Sequence, residues 1–253
     1  MSILNYVPPE WVPALKRLWK ATFGDDDAFL DRFFSTAFAP ERCRCIVEAG
    51  EVRAALYWFD ASCSDQKFAY LYAIATDPAH RNRGLCRQLV ENTKEALKAR
   101  GYAGLLLVPQ EEALSQMYER MGFTPCTTVS EFWCAPELPA AAIHKIDAAA
   151  YTRSRQLLLP RDSVVQEGEN IACLESQATF YAGPGFLAAV TMDGENLHCF
   201  ELLGDTAAAP QILTALGLPY GFFRCPGKGK PFAMLCPLTQ TCPSPAYFGL
   251  AFD

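Results

Sequence analysis

The sequence has little of what marks a nucleic-acid-binding or membrane-spanning protein. Its 253 residues contain 22 lysines and arginines against 28 aspartates and glutamates, a formal net charge of -6. Proteins that bind nucleic acid usually concentrate basic residues, so this balance argues against such a partner. No apolar run approaches the roughly twenty residues that a transmembrane helix needs. We therefore expect neither a nucleic acid nor a membrane as partner.

Histidine is scarce, and the cysteines lack the spacing of a zinc site. His80, His144 and His198 are scattered, and Cys43 and Cys45 are separated by one residue. The 11 cysteines are odd in number, and several fall in predicted core elements. No secretory signal is recognisable. We expect free thiols, a cytoplasmic location and no bound metal.

Two common phosphate-binding motifs are also missing. No G-x-G-x-x-G follows a predicted strand, and no G-x-x-x-x-G-K-[ST] occurs. The glycines and lysines at residues 227–231 lack the spacing and the hydroxyl group of the second motif. Dinucleotide redox chemistry and nucleotide hydrolysis therefore lose support.

One segment does have the pattern of a strand, an anion-binding loop and a helix. Residues 70–76 alternate aromatic and small apolar side chains, which predicts a strand buried on both faces. Helical periodicity begins at residue 85, and Gly101 suits the end of that helix. Free N–H groups in a first helical turn, the helix dipole and the small Gly84 all favour an anion. The sequence therefore predicts an anion site at residues 81–86.

This segment resembles the GCN5-related N-acetyltransferase (GNAT) superfamily, whose acetyl-CoA signature is [Arg/Gln]-x-x-Gly-x-[Gly/Ala]. Arg81, Gly84 and Cys86 occupy the three fixed positions, and the sulfur of Cys86 departs from the family pattern. After a strand predicted at residues 105–109, a helix predicted at 111–122 ends in a segment similar to the family's Tyr-x-x-x-Gly-Phe. The two signatures occur in family order, and the resemblance covers roughly residues 40 to 134.

The resemblance implies a fold of the α/β (α+β) class. Its features are a mixed twisted sheet, helices on both faces and a splayed central strand pair. Apolar residues at helical spacing predict a first helix at residues 11–23 and a second one after the acidic run 25–27. Strands are predicted at 43–47 and 52–59, with a hairpin at 49–50.

A change of composition at residues 136–150 predicts a linker between a GNAT domain at 1–135 and a smaller α+β domain at 151–253. The second part repeats the strand, helix and strand order of the first and resembles the degenerate second domain of tandem GNAT proteins. Residues 205–210, where the phosphate loop would lie, contain neither arginine nor glycine. The alternative is an ordinary α+β domain that is not a repeat. The elements predicted for this second part are strands at 171–176, 178–182, 186–192, 197–203, 220–224 and 232–235, and a helix at 207–216.

The resemblance also implies roles for individual residues. Tyr118 would donate a proton to the departing thiolate, since a phenol with a pKa of about 10 stays protonated at neutral pH. The backbone of Ile74, Ala75 and Thr76 would bind the acetyl and pantetheine groups. The residues implied to hold the pyrophosphate are Arg81, Asn82, Arg83, Gly84, Leu85 and Cys86. The residues expected near the acceptor are Tyr70, Tyr72, Phe29 and Phe33.

The general base stays open at this point. The predicted strand at 70–76 contains no carboxylate or histidine. A water relay to a distant carboxylate, an amine that arrives neutral, or the terminal carboxylate of Asp253 are the alternatives. The acidic run 25–27 either caps the second helix or attracts a cationic amine.

The sequence therefore indicates an N-acetyltransferase that moves an acetyl group from acetyl-CoA to a primary amine of a small molecule by direct attack. The competing interpretation is an acyl-CoA-binding sensor or structural module without catalysis. O-acylation and longer acyl donors are further alternatives, and a homodimer is compatible with the sequence. Nothing in the sequence identifies the acceptor.

Overall fold

Two units divide the chain in the computed structural model, which describes residues 1–251. Unit 1 comprises Met1–Thr124 and Met234–Pro243, and unit 2 comprises Pro125–Ala233 and residues 244–251. Neither unit is one continuous segment, so this division differs from the predicted boundaries at residues 135 and 150. Residues 136–150 belong to unit 2 and already contain a strand and the start of a helix.

The described residues form seven α-helices and fifteen strands. The helices are α1 (Val12–Phe23), α2 (Asp27–Thr36), α3 (Leu85–Ala99), α4 (Glu112–Glu119), α5 (Ala148–Leu158), α6 (Glu169–Glu175) and α7 (Ala209–Leu216). The strands are β1 (Ser2–Leu4), β2 (Cys43–Glu48), β3 (Glu51–Cys63), β4 (Gln66–Thr76), β5 (Gly104–Leu107), β6 (Thr124–Pro125), β7 (Thr128–Cys134), β8 (His144–Ile146), β9 (Val165–Gln166), β10 (Thr179–Gly183), β11 (Phe186–Asp193), β12 (Asn196–Gly204), β13 (Gly221–Pro226), β14 (Lys230–Pro231) and β15 (Met234–Pro237). In this part of the chain, every helix is too short or too polar to cross a membrane.

The sheet of unit 1 is mixed and has the order β1-β2-β3-β4-β5-β15. Its neighbours are antiparallel except β4 and β5, which are parallel and are joined through α3. A parallel pair needs such a crossover, since a tight hairpin joins only antiparallel strands. The late strand β15 pairs with β5 from Met234 opposite Leu107 to Pro237 opposite Gly104. The sequence predicted a strand near residues 232–235 but not its place in this sheet.

Helices cover both faces of this sheet, as expected. Side chains alternate between the faces of a strand. On one face, Leu56 and Leu71 share a buried cluster with Leu89 of α3 and Tyr118 of α4. On the other face, the rings of Tyr57 and Tyr72 contact Trp19 of α1 at centroid distances of 5.2 and 5.6 Å.

Local signals fixed the first helices and the hairpin. Gly24 caps the C-terminus of α1, and its φ of 82° is the left-handed conformation that often ends a helix. Asp26 is the N-cap of α2, and its carboxylate accepts a 2.7 Å hydrogen bond from the Phe29 N–H. Ala49 and Gly50 both have positive φ in the turn between β2 and β3, which confirms the predicted hairpin.

Unit 2 repeats the strand, helix and strand order of unit 1. Its sheet has the order β14-β7-β13-β12-β11-β10-β8. Among its described pairs only β12 and β13 are parallel, and α7 connects them. In each unit one parallel pair is therefore built around one crossover helix. This arrangement is what a second, GNAT-like domain requires.

The strand predicted at residues 171–176 is wrong, because these residues belong mainly to α6. Its buried residues are Asn170, Ile171, Cys173 and Leu174, which recur at helical spacing. A short apolar run bounded by polar residues fits a buried strand and a buried helix equally well by periodicity. The helix α5, which the sequence did not predict, is capped by the carboxylate of Asp147.

Candidate active site

The parallel strands β4 and β5 separate part-way along β4. They pair only from Phe68 opposite Gly104 to Tyr70 opposite Leu106, while β4 continues to Thr76. Residues 68–71 are buried, and residues 72–74 are half-buried. The strand is therefore buried on both faces only in its first part, which corrects the expectation for residues 70–76. This open stretch includes the predicted cofactor residues Ile74, Ala75 and Thr76.

A bulge lies in β4 at this separation. Tyr72 faces Tyr57 and Ala75 faces Ala55, so two residues of β4 oppose one residue of β3. Ala73 has a φ of 47°, which is left-handed and strained for a residue with a Cβ. The extra residue brings Ile74 to the face where α3 and α4 pack. Nothing in the sequence signalled the bulge, because no glycine marks it.

The loop after β4 leaves the N-terminus of α3 uncapped. Residues 81–84 are exposed, and α3 begins at Leu85 without a side chain that caps it. Gly84 has a φ of 76°, and a Cβ added there would meet no atom within 4 Å. The first N–H groups of a helix have no partner within the helix, and the helix dipole makes them attractive to anions. The loop geometry thus suits a phosphate group.

Arg83 of this loop is held by an acidic residue that the sequence did not connect to it. Its guanidinium donates two 3.1 Å hydrogen bonds to the carboxylate of Glu48, which lies at the end of β2. The hydrogen bond from Arg83 lowers the pKa of Glu48, and the same bond raises the pKa of Arg83. Arg81 forms no ion pair within residues 1–251. Asn82 is exposed and has a φ of 61°.

Tyr118 and Cys86 lie on the same side of the sheet as Ile74. Cys86 and Ile74 pack against the buried cluster that contains Tyr118, whose side chain is 7% exposed. Burial, together with the nearby Cys86, raises the pKa of Tyr118 above its usual value. Burial also raises the pKa of the Cys86 thiol to about 11. Both groups therefore stay protonated at neutral pH.

The segment from Tyr118 to Phe123 forms a tight reversal at the end of α4. The Phe123 N–H donates a 3.1 Å hydrogen bond to the Tyr118 carbonyl. Gly122 has a φ of 84°, a conformation that a residue with a Cβ adopts only under strain. The rings of Tyr118 and Phe123 meet edge to face at 5.8 Å. The reversal fixes where the Tyr118 ring lies.

The four residues expected near the acceptor belong to one aromatic cluster, which lies between α1, α2 and the face of the sheet that these helices cover. Phe33 lies 5.8 Å from Tyr72, and Tyr72 lies 6.1 Å from Tyr70. Phe29 joins the cluster through Trp19, at 6.0 Å. Trp19 lies within the first helix predicted from the sequence, at residues 11–23, but nothing in the sequence pointed to it as a site residue. Asp253, considered as a terminal base, lies outside the described residues.

The comparisons with known proteins agree with this geometry. A family model for the acetyltransferase (GNAT) domain matches residues 6–126. The chain carries a GNAT domain. Acyl transfer is the activity that this match supports, and the GNAT fold typically binds acetyl-CoA. A search of curated proteins found no significant match.

Solved GNAT structures share the fold over nearly the whole chain. A GCN5-related N-acetyltransferase from Kribbella flavida gives a TM-score of 0.69 at 14% identity, covering 94% of this chain and 72% of that one. One from Anabaena variabilis gives 0.72 at 11% identity, covering 94% and 73%. A tandem GNAT protein from the clavulanic acid biosynthesis pathway gives 0.58 at 11% identity, covering 95% and 99%. At these identities the likeness concerns the fold alone.

The corresponding loop of unit 2, residues 205–208, contains neither arginine nor glycine. It runs from the end of β12 to α7, and its carboxylate Asp205 accepts a 3.0 Å hydrogen bond from the Ala207 N–H. In the loop of unit 1, Asp77 accepts the same kind of hydrogen bond, also 3.0 Å long, from the Ala79 N–H. The two loops therefore differ in the arginines and the glycine that precede α3, and not in this carboxylate.

Proposed function

We propose that the protein transfers an acetyl group from acetyl-CoA to the primary amine of a small molecule. One observation carries this proposal. In unit 1 the edge of β4 opens after Tyr70, and the uncapped N-terminus of α3 follows the same strand at Leu85. Acetyl-CoA needs both features. The amides of its pantetheine arm can hydrogen-bond to an open strand edge, and its diphosphate can accept hydrogen bonds from the free N–H groups of a helix N-terminus.

The residues at this edge fit acetyl-CoA, which would supply the acetyl thioester. The N–H groups at Gly84, Leu85 and Cys86 bind the diphosphate, with Arg81 adding charge at the exposed loop. The backbone of residues 74–76 binds the amides of the pantetheine arm and the thioester carbonyl. An N–H aimed at that oxygen stabilises the negative charge that grows on it during attack.

Tyr118 has the properties of the general acid. In the reaction a C–N bond forms, the C–S bond breaks, and the amine loses one proton to water. Tyr118 donates its hydroxyl proton to the leaving sulfur and regains one from solvent. Its raised pKa keeps the phenol protonated, and within residues 1–251 the hydroxyl has no hydrogen-bond partner that would compete.

An acyl-CoA-binding module without catalysis is the second candidate. The open stretch of β4, residues 72–76, has no carboxylate or histidine to act as base, and Glu48 holds one arginine of the loop. Both features fit binding without turnover. O-acyl transfer and longer acyl donors remain variants of the first proposal, and a screen of donors and acceptors separates them.

The test combines cofactor binding with turnover. CoA binding is measured by calorimetry, and free thiol release from acetyl-CoA is measured with a panel of amines, for the native chain and Tyr118→Phe. The proposal expects micromolar CoA binding to both, with turnover reduced about 10²- to 10⁴-fold in the variant. CoA binding without turnover on any amine supports the module. Absence of CoA binding rejects both.

A further inference from the structure

The structure gives each aspartate of the acidic run 25–27 a different environment. Asp26 caps α2 through the Phe29 N–H at 2.7 Å. Asp27 is exposed and pairs with Lys20 at 2.8 Å. Asp25 neither caps a helix nor pairs with a lysine. Its Oδ2 accepts a 2.7 Å hydrogen bond from the indole N–H of Trp19. Capping therefore explains Asp26, and Asp25 is tied instead to the aromatic cluster.

Trp19 is the centre of that cluster. Its ring contacts, by centroid distance, are Phe33 at 4.6 Å, Tyr57 at 5.2 Å, Tyr72 at 5.6 Å, Phe23 at 5.8 Å, Phe29 at 6.0 Å and Phe34 at 6.2 Å. Trp19 itself is 2% exposed, whereas Phe23, Phe29 and Asp25 are half-buried. The cluster therefore reaches the surface where two aromatic rings stand beside a carboxylate.

This surface is close to the strand stretch that carries the reaction. Tyr72 contacts Trp19 and immediately precedes the bulge residue Ala73 of β4. Trp19, which is hydrogen-bonded to Asp25, is therefore connected to the open edge at residues 74–76 through a single ring contact, the one with Tyr72. The surface lies on the face of α1 and α2, opposite the face where Tyr118 packs. An acceptor held there would approach the thioester from the side away from the general acid.

The charges around the surface favour a cation. Lys16 pairs with Asp31 and Lys20 pairs with Asp27, so each of these lysines already has a carboxylate. Asp25 forms no ion pair within residues 1–251. A half-buried carboxylate beside aromatic rings attracts an organic cation through charge and through the ring faces.

From this arrangement, and resting on the proposed function, we infer that the acceptor is a small primary amine on an aromatic or other flat apolar skeleton. The skeleton packs against Phe23 and Phe29, and the ammonium form is drawn in by Asp25. The amine loses its proton to water before it attacks. Polyamines and peptide amines fit this surface less well, because they offer no flat apolar group to the rings.

A binding experiment tests the inference without turnover. The probe is phenyltrimethylammonium, an aromatic cation that cannot be acetylated, titrated into the CoA-saturated full chain by calorimetry. Asp25→Asn keeps an acceptor for the Trp19 N–H and removes only the charge, so we expect about tenfold weaker binding. Asp27→Asn, the matched control in the same run, should change Kd less than about twofold. Equal effects in the two variants, or no binding to the native chain, would overturn the inference.

An acceptor panel gives the second test. Phenethylamine and benzylamine are compared with spermidine and with a peptide amine. The inference expects the aromatic amines to have the highest kcat/KM, and Asp25→Asn to raise their KM about tenfold with kcat little changed. Turnover that prefers spermidine or the peptide, unaffected by Asp25→Asn, rejects this acceptor class and leaves the acetyltransferase proposal intact. Failure of the proposed function itself shows separately, as absence of CoA binding.

Discussion

Arg155 and Glu201 form a buried bidentate ion pair in unit 2. The guanidinium of Arg155 donates hydrogen bonds of 2.7 and 3.0 Å to the two carboxylate oxygens of Glu201. Tyr151 and Tyr247 donate further hydrogen bonds to the same carboxylate, at 2.9 and 3.1 Å. Glu201 is 0% and Arg155 1% exposed. The network joins α5, β12 and the segment around Tyr247 through one fully satisfied carboxylate.

Breaking this pair should cost more stability than any exposed pair. Glu201→Gln leaves the Arg155 charge buried and uncompensated, so we expect a loss of about 3–5 kcal/mol in the free energy of unfolding. Urea denaturation followed by circular dichroism measures it. Asp27→Asn, which removes an exposed pair with Lys20, should leave the free energy of unfolding nearly unchanged. Similar losses in the two variants would contradict a cooperative buried network.

Two glycines of unit 1 allow a matched test of the phosphate loop. Gly84 and Gly50 have φ values of 76° and 78°, and an added Cβ meets nothing within 4 Å at either position. Alanine should therefore cost about 1–2 kcal/mol of strain at both. Only Gly84→Ala should weaken CoA binding, by tenfold or more in calorimetry, because its methyl group would lie where we propose that the diphosphate binds. Equal CoA affinity in the two variants would place the diphosphate elsewhere.

The thiol of Cys86 should react slowly with alkylating agents. Burial raises its pKa to about 11, so about one thiol in a thousand is ionised at pH 8. Below that pKa, the alkylation rate should rise about tenfold per pH unit. Peptide mass spectrometry after timed iodoacetamide treatment, with a free cysteine peptide as reference, measures the rate. Reaction at pH 8 as fast as that of the peptide would show that the thiol is not buried.

The pH profile of turnover should lack a descending limb from Tyr118. The pKa of Tyr118 is raised, so its acidic form persists above pH 10 and general acid catalysis is lost only beyond it. We expect kcat to keep rising up to about pH 10 without a decrease, because an alkyl amine deprotonates only near its pKa of about 10. The Tyr118→Phe variant should show the same shape at a lower rate. A decrease in kcat near pH 9 in the native chain alone would contradict the assignment.

Elements with strong local signals could be predicted from the sequence. The apolar stripe of α3 and the alternation in β4 are local periodicities, and Asp26 and Gly24 are caps whose chemistry depends on adjacent backbone. For the same reason the glycine and arginine spacing at residues 81–86 predicted an anion site, and the structure places an exposed loop and an uncapped helix N-terminus there. The short run in α6 gave no such signal and was misassigned.

Strand partners could not be predicted, because hydrogen bonding across a sheet is non-local. β15 follows β5 by more than a hundred residues, yet the two pair along Gly104–Leu107. β7, which the sequence assigned to the first domain, pairs with β13 in unit 2. Apolar patterning shows that a strand has a buried face but not which edge accepts it. The predicted boundary at residue 135 differs from the observed division for this reason.

The sequence by itself determined which chemical groups the candidate site contains, since a loop with arginine and glycine between a strand and a helix is a local pattern. Tertiary structure alone decided how these groups are arranged around the site. It separated β4 from β5 after Tyr70, inserted Ala73 as a bulge and bound Arg83 to Glu48. It also joined Asp25 to Trp19. These contacts depend on packing between elements distant along the chain or on side-chain directions that only the assembled sheet and helices fix.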